Sequence, residues 1–213
     1  EKADVPLIGF AGAPFTLASY LLEGGASKDF LETKRFMHRE PDAWRHLLAQ
    51  LTESIGAFLR AQTQAGAQAL EVFDSWVGAL TPYDYAAHVA PWSRKLLESL
   101  READVPVIHF GTNTAGFLED FAAPGGNVIG VDWRIPLDDA WRRIGEDRGI
   151  QGNLDPAALL GPPEVWRAQA RDVLRRAAGR PGHVFNLGHG VLPQTPSEHL
   201  EGLVRLVHDA TGV

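Results

Sequence analysis

PLIGFAGAPFTLASYLLEGG, residues 6–25, is the stretch from which the fold is read. After Pro6, the short apolar run of Leu7, Ile8 and Phe10 reads as a buried strand. It closes at Gly9, Gly12 and Pro14, and a helical segment, Phe15 to Leu22, begins at once. Glycines at such a turn let backbone N–H groups approach a ligand closely, and a helix N-terminus favours anions. A GxxG pair also serves a plain tight turn, and the motif alone does not separate the two. Tyr20 lies on the helix, just before the acidic, glycine-rich loop Glu23 to Ser27.

The same unit recurs outward from this stretch. Ser27 is placed to cap a short helix through Arg39, and Pro41 suits the first turn of a longer one. Trp44, Leu47, Leu48, Leu51, Ile55, Phe58 and Leu59 recur at three- and four-residue spacing up to Gly66. A second strand, Ala69 to Phe73, leads into Asp74, Ser75 and Trp76. Thr81-Pro82 predicts a capped helix with Tyr85, Val89, Trp92, Leu96 and Leu100 on one face. Further strands are expected at Val105–Phe110, Asn127–Val131, Gly149–Leu154 and His183–Leu187. The helices between and after them follow Thr114, Pro136, Pro163 and Ser197.

Six apolar strands alternating with helices, without a hairpin signal, predict a parallel α/β sheet. No GxGxxG is present and the rhythm never changes, which favours a (β/α)8 TIM-type barrel over an open doubly wound sheet. Such a barrel needs roughly 250 residues, and only about six βα units are visible. The expectation is an incomplete barrel, residues 1–213 forming a single domain that is its C-terminal portion, with two raw sheet edges. The chain does not begin with Met, which points to processing or a fragment.

Composition narrows the function classes. A formal net charge of −7 argues against nucleic acid and anionic membrane as partners. No stretch is long and apolar enough to span a bilayer, and EKADVPLIGF lacks the pattern of a signal peptide. The absence of cysteine removes disulfides, thiol catalysis and thiolate-ligated metal. A cytoplasmic location is the simplest expectation. The eight histidines show no HxH or HExxH pair, so no metal is expected. His38, His46, His88, His199 and His208 fall on predicted helices and read as solvated.

In barrels the active site lies at the C-terminal ends of the strands. Asp74, Ser75, His109, Asn113, Asp132, Asn153, Asp155, Asn186 and His189 collect at those predicted ends. A Ser75–His189 nucleophile pair has no GxSxG elbow to support it, and hydrogen bonding by both is the simpler role.

GFAGAPFTLASYLLEGG, FDSWVG, QGNLDP and NLGHGVLPQTP, in this order, resemble the uroporphyrinogen decarboxylase family of the haem pathway. The resemblance covers essentially the whole chain. It implies a (β/α)8 barrel, usually a cytosolic homodimer, working without metal or organic cofactor. The implied reaction removes four acetate carboxyl groups from uroporphyrinogen, giving coproporphyrinogen. Carried over by motif, the implied substrate-binding residues are Tyr20, Ser75 and His189. A phenol, a hydroxyl and an imidazole can each donate to a carboxylate without fixing a buried charge. The family's arginine-rich loop and catalytic Asp have no match here and are expected upstream, so no catalytic residue is assigned and the chain alone is expected to be inactive. Phe15 stands where the family often has tryptophan, and Trp76 beside Ser75 is a second small departure. Two other classes fit less well: a superfamily methyltransferase, disfavoured by the lack of cysteine, and a non-catalytic tetrapyrrole-binding relative.

Overall fold

The computed structural model describes residues 5–25, 27–145 and 147–212. Residues 1–4, where the N-terminal segment begins, and Ala26 of the acidic loop lie outside the described residues. The chain groups into two compact units, Glu1–Val128 and Ile129–Val213, each taken here by itself.

The first unit runs β1 (Ile8–Gly12), α1 (Pro14–Glu23), α2 (Leu31–Arg39), α3 (Pro41–Gln64) and β2 (Ala69–Asp74). A 3₁₀ turn, Val77–Ala79, leads to α4 (Pro82–Asp84), a π-type turn (Tyr85–Val89) and α5 (Ala90–Ser99). β3 (Val107–Gly111) and α6 (Leu118–Ala122) complete it. β1, β2 and β3 are parallel neighbours, with Ile8 opposite Ala69 and Leu70 opposite Val107. Alternation sends Leu70 and Val72 toward the helices, where they pack with Ile55, Leu59, Leu96 and Leu97. Burying six such side chains contributes on the order of 10 kcal/mol, which makes this cluster the unit's main stabilising element.

Proline and threonine set the helix starts as expected. Pro41 opens α3, and the Thr81 hydroxyl accepts the Asp84 N–H at 3.1 Å with Pro82 at the first position. Two local expectations are corrected. Ser27 does not cap α2; its hydroxyl accepts from Phe30 N, and Glu23 Oε1 takes the Thr33 N–H and hydroxyl, each at 2.9 Å. A carboxylate out-competes a hydroxyl for a helix N-terminus because it adds charge to the dipole. Trp92 is half-exposed, and Ser93 holds the buried position, because the π-type turn widens the helix just before it.

The sheet is open at β1 as expected, and one side chain covers part of that edge. The Gln62 carboxamide on α3 accepts from Phe10 N at 2.8 Å and donates to Phe10 O at 2.9 Å, standing in for a neighbouring strand.

β4 (Val128–Gly130) lies at the boundary between the units. The second unit continues with α7 (Leu137–Ile144), β5 (Gly149–Leu154), α8 (Pro163–Ala177), β6 (His183–Leu187) and α9 (Ser197–Thr211). β5 and β6 are parallel, with Ile150 opposite His183. Leu154, Leu159, Trp166, Ala170, Leu187 and Leu203 form its core. The class is α/β as expected: six βα repeats of a TIM-type (β/α)8 architecture, with strand boundaries within about two residues of the sequence reading.

Candidate functional site

The C-terminal end of β2 carries one cluster of candidate residues. Ala13 N donates to Phe73 O at 2.8 Å, holding the β1–α1 turn against β2. Asp74 points away from any ligand, into the protein. Its Oδ1 accepts the Thr16 hydroxyl at 3.1 Å in the first turn of α1, and its Oδ2 has no partner. The first turn of α1 is thus tied to the chain's own carboxyl group through Thr16. Gly9 and Gly12 serve packing: a Cβ would lie 2.5 Å from Gln62 Oε1 at Gly9 and 2.8 Å from Leu17 Cδ2 at Gly12. Full burial pushes the Asp74 carboxyl up to about 7, against the lowering effect of the Thr16 hydrogen bond. Tyr85, buried beside it, has its phenol held above the usual range by desolvation and by the Asp74 charge.

Ser75 takes the opposite face. The Thr112 hydroxyl grips its carbonyl at 2.6 Å, and Asn113 Nδ2 holds the Gly78 carbonyl at 2.9 Å. Gly78 leaves no room for a side chain, since a Cβ would lie 2.2 Å from Thr112 O. The turn is fixed by its backbone, and among the described residues the Ser75 hydroxyl has no hydrogen-bond partner. Tyr20 meets this turn through Trp76: the rings pack edge-on at 5.9 Å, and Phe30 covers Trp76 from 5.4 Å. Tyr20 is 55% exposed, so its phenol is open to a ligand. The fold therefore brings Tyr20 and the Ser75 turn together.

A separate cluster of candidate residues lies in the other unit. Asp132, buried after β4, accepts from Arg134 N at 3.0 Å and pairs with the Arg134 guanidinium, which stacks over Trp133 at 4.3 Å. Asn153 donates to Asp132 O at 2.9 Å and to Ile135 O at 2.7 Å, fixing this turn from β5. Gly188 packs directly on it: a Cβ would lie 2.7 Å from Trp133 N and 3.0 Å from Asp132 Cα. His189 is thereby presented at the surface beside Asp132 and Arg134. Desolvation lowers its pKa, Asp132 opposes that, and Arg134 adds to it. The net direction leaves a neutral imidazole at pH 7, a hydrogen-bonding group rather than a cation.

A family model described as uroporphyrinogen decarboxylase (URO-D) matches residues 1–210. This chain belongs to the uroporphyrinogen decarboxylase family. It is 54% identical over 209 residues to the uroporphyrinogen decarboxylase of Carboxydothermus hydrogenoformans, covering 98% of this chain and 60% of that protein. The enzyme of that name from Sorangium cellulosum is 55% identical over 203 residues, covering 95% and 58%. The one from Thermus thermophilus is 52% identical over 209 residues, covering 98% and 61%. The chain thus spans about three-fifths of the length of the relatives it matches.

Several residues collected by spacing turn out to be structural. His109 is fully buried in mid-strand, stacked on Phe121 at 4.1 Å, with neither ring nitrogen paired. Burial pushes its pKa down to about 3. Asp155 Oδ1 accepts from Ala157 N at 2.9 Å, capping the turn that follows, and Asn186 bonds its neighbour Leu187 N. His199 is half-buried rather than solvated, with Nδ1 2.8 Å from Leu159 O.

The sequence reading also missed an aromatic row. Phe10, Phe73 and Phe110 occupy the faces of β1, β2 and β3 away from the helices, with ring centroids 5.8 and 5.7 Å apart. The signal was present as alternation: Phe73 and Ser75 are two apart and share a face. Among the described residues, no helix is long and apolar enough to cross a membrane.

Proposed function

We propose that the protein to which this chain belongs decarboxylates uroporphyrinogen, converting its four acetate side chains to methyl groups and releasing four CO2. The observation that carries this is the family match over residues 1–210 with identities above 50% to several enzymes of that name. The arrangement of side chains supports it. An apolar row of Phe10, Phe73 and Phe110 suits the pyrrole rings of a tetrapyrrole, and the Tyr20 and Ser75 hydroxyls stand toward its C-terminal end. Tyr20 and Ser75 offer hydroxyl groups to substrate carboxylates, and neutral His189 offers one N–H. Each carboxylate leaves as CO2 once a proton on a pyrrole carbon lets the ring accept the electron pair. Uncharged donors hold the acetates without opposing that loss, as an ion pair would. The absence of cysteine disfavours the methyltransferase reading.

We also propose a cytoplasmic homodimer with no nucleic-acid partner, and residues 1–213 as one domain of a (β/α)8 barrel. The net charge and the family support this reading.

The test is anaerobic incubation with uroporphyrinogen, followed by mass analysis for products lacking one to four carboxyl groups. The whole protein should give the series, and the 213-residue chain should bind the substrate without turnover. Tyr20→Phe, Ser75→Ala and His189→Asn in the whole protein should each raise KM or lower kcat by ~10-fold, on the scale of one to two hydrogen bonds. No product from the whole protein would refute the reaction. Full activity in all three variants would refute the residue assignment alone.

A further inference from the structure

Away from the strand ends, three ligand-bearing side chains meet on the helical layer of the first unit. His38 sits in the last turn of α2, Asp84 ends α4, and His88 lies in the π-type turn that follows. One ligand atom from each lies within 4.8 Å of the others. His38 Nε2 is 3.7 Å from Asp84 Oδ1, and the two imidazoles stand at 88° with centroids 5.8 Å apart. We propose that His38, Asp84 and His88 form a binding site for a borderline divalent transition ion of the zinc class.

The donor set is the first argument. Two imidazoles and one carboxylate suit zinc and its neighbours, and do not suit magnesium or calcium, which take oxygen ligands. Bonds of about 2.0–2.1 Å around a tetrahedral ion set ligand atoms about 3.3 Å apart. His38 Nε2 and Asp84 Oδ1 are already close to that spacing, and the exposed side chain of His38 is free to rotate the remaining distance.

Support from the surrounding residues is the second. The Thr81 hydroxyl donates to Asp84 Oδ2 at 2.9 Å while accepting from Asp84 N, which leaves Oδ1 aimed at His38. Trp44 Nε1 donates to the His88 carbonyl at 3.1 Å and anchors the turn that carries its ring. Asp84 and His88 are four residues apart on consecutive helical turns, so both face the same side. Ligands oriented from behind in this way are what metal sites require. Three protein ligands leave the remaining position to water.

Titration of the 213-residue chain with Zn2+ by calorimetry tests the proposal, with Mg2+ as the control ion. One Zn2+ per chain is expected, with no saturable Mg2+ binding. His38→Ala decides the question, because His38 is exposed and its removal leaves the fold intact. It should weaken Zn2+ by ~10-fold or more, as should His88→Gln and Asp84→Asn, while His208→Ala on α9 should leave it unchanged. The thermal midpoint should rise with Zn2+ in the wild type and stay still in His38→Ala. No saturable Zn2+ binding, or binding that His38→Ala leaves intact, would overturn the site.

Discussion

Replacing Asp74 by Asn should make this chain more stable at pH 8 and less stable at pH 5. The carboxyl group is fully buried, and burial pushes its pKa from 3.8 up to about 7. Between those values the folded chain holds a proton that the unfolded chain has released. Stability from this group is therefore complete below about pH 3.8 and is lost as pH rises to about 7. At 1.36 kcal/mol per pH unit the loss is about 4 kcal/mol above pH 7 and about 1.5 kcal/mol at pH 5. The positive end of α1 works in the carboxylate's favour, so these are upper figures. Asparagine keeps the acceptor for Thr16 and cannot ionise, but its amide N–H groups enter a pocket where Oδ2 has no partner. That unmet donor costs about 1–3 kcal/mol at every pH.

His109 complicates the wild-type curve, which is why a difference measurement is needed. Its pKa falls from 6.5 to about 3 on folding. The stability it contributes is present above pH 6.5 and is lost as pH falls toward 3, opposite in sign to Asp74 and similar in size. Over pH 4–6.5 the two slopes nearly cancel, and the wild-type chain should look indifferent to pH. Subtracting wild type from Asp74→Asn removes the His109 contribution. Urea unfolding from pH 5 to 8, with m unchanged, should show the difference rising by about 3 kcal/mol and crossing zero. A difference that is flat with pH would refute the buried-carboxyl reasoning.

Three further outcomes follow from the same geometry. Gly188→Ala puts a methyl group 2.7 Å from Trp133 N and 3.0 Å from Asp132 Cα. Backbone must move, so urea unfolding should show a loss of about 1–3 kcal/mol, with weaker tetrapyrrole binding as the His189 turn shifts. Arg134→Gln removes the cation that lowers the His189 pKa and leaves the Asp132 carboxylate that raises it. NMR titration of the imidazole Cε1 proton should report a rise, and a fall would show that the two side chains do not share a field. Gln62→Ala deletes both hydrogen bonds to Phe10, costing about 1–3 kcal/mol, and Phe10 N–H exchange with deuterium should quicken first. Unchanged protection at Phe10 would mean that the carboxamide is not closing the strand edge.

Periodicity made the repeats legible, and the reasons it stopped there are physical. A βα repeat announces itself because apolar residues must recur at fixed spacing to bury one face, as Ile55, Leu59, Leu96 and Leu97 do around β2. Strand ends announce themselves because βα turns are polar, but that signal does not say which way a side chain points. Asp74 and Ser75 are adjacent, and alternation sends one into the core and the other to the open face. His109 was read as a site residue for the same reason; opposite Val72 in register, it turns to the helix side and stacks on Phe121. Motif order carries a different kind of information, because it picks out Ser75 and His189 by position rather than by polarity. His38 and His88 fall outside both kinds of signal. They are fifty residues apart, one on α2 and one in the π-type turn, and their rings stand face to edge. A site assembled across separate helices leaves only the Asp84–His88 spacing as a local trace, so the helix layer of this barrel family is where further ligand sites should be sought in structures rather than in motifs.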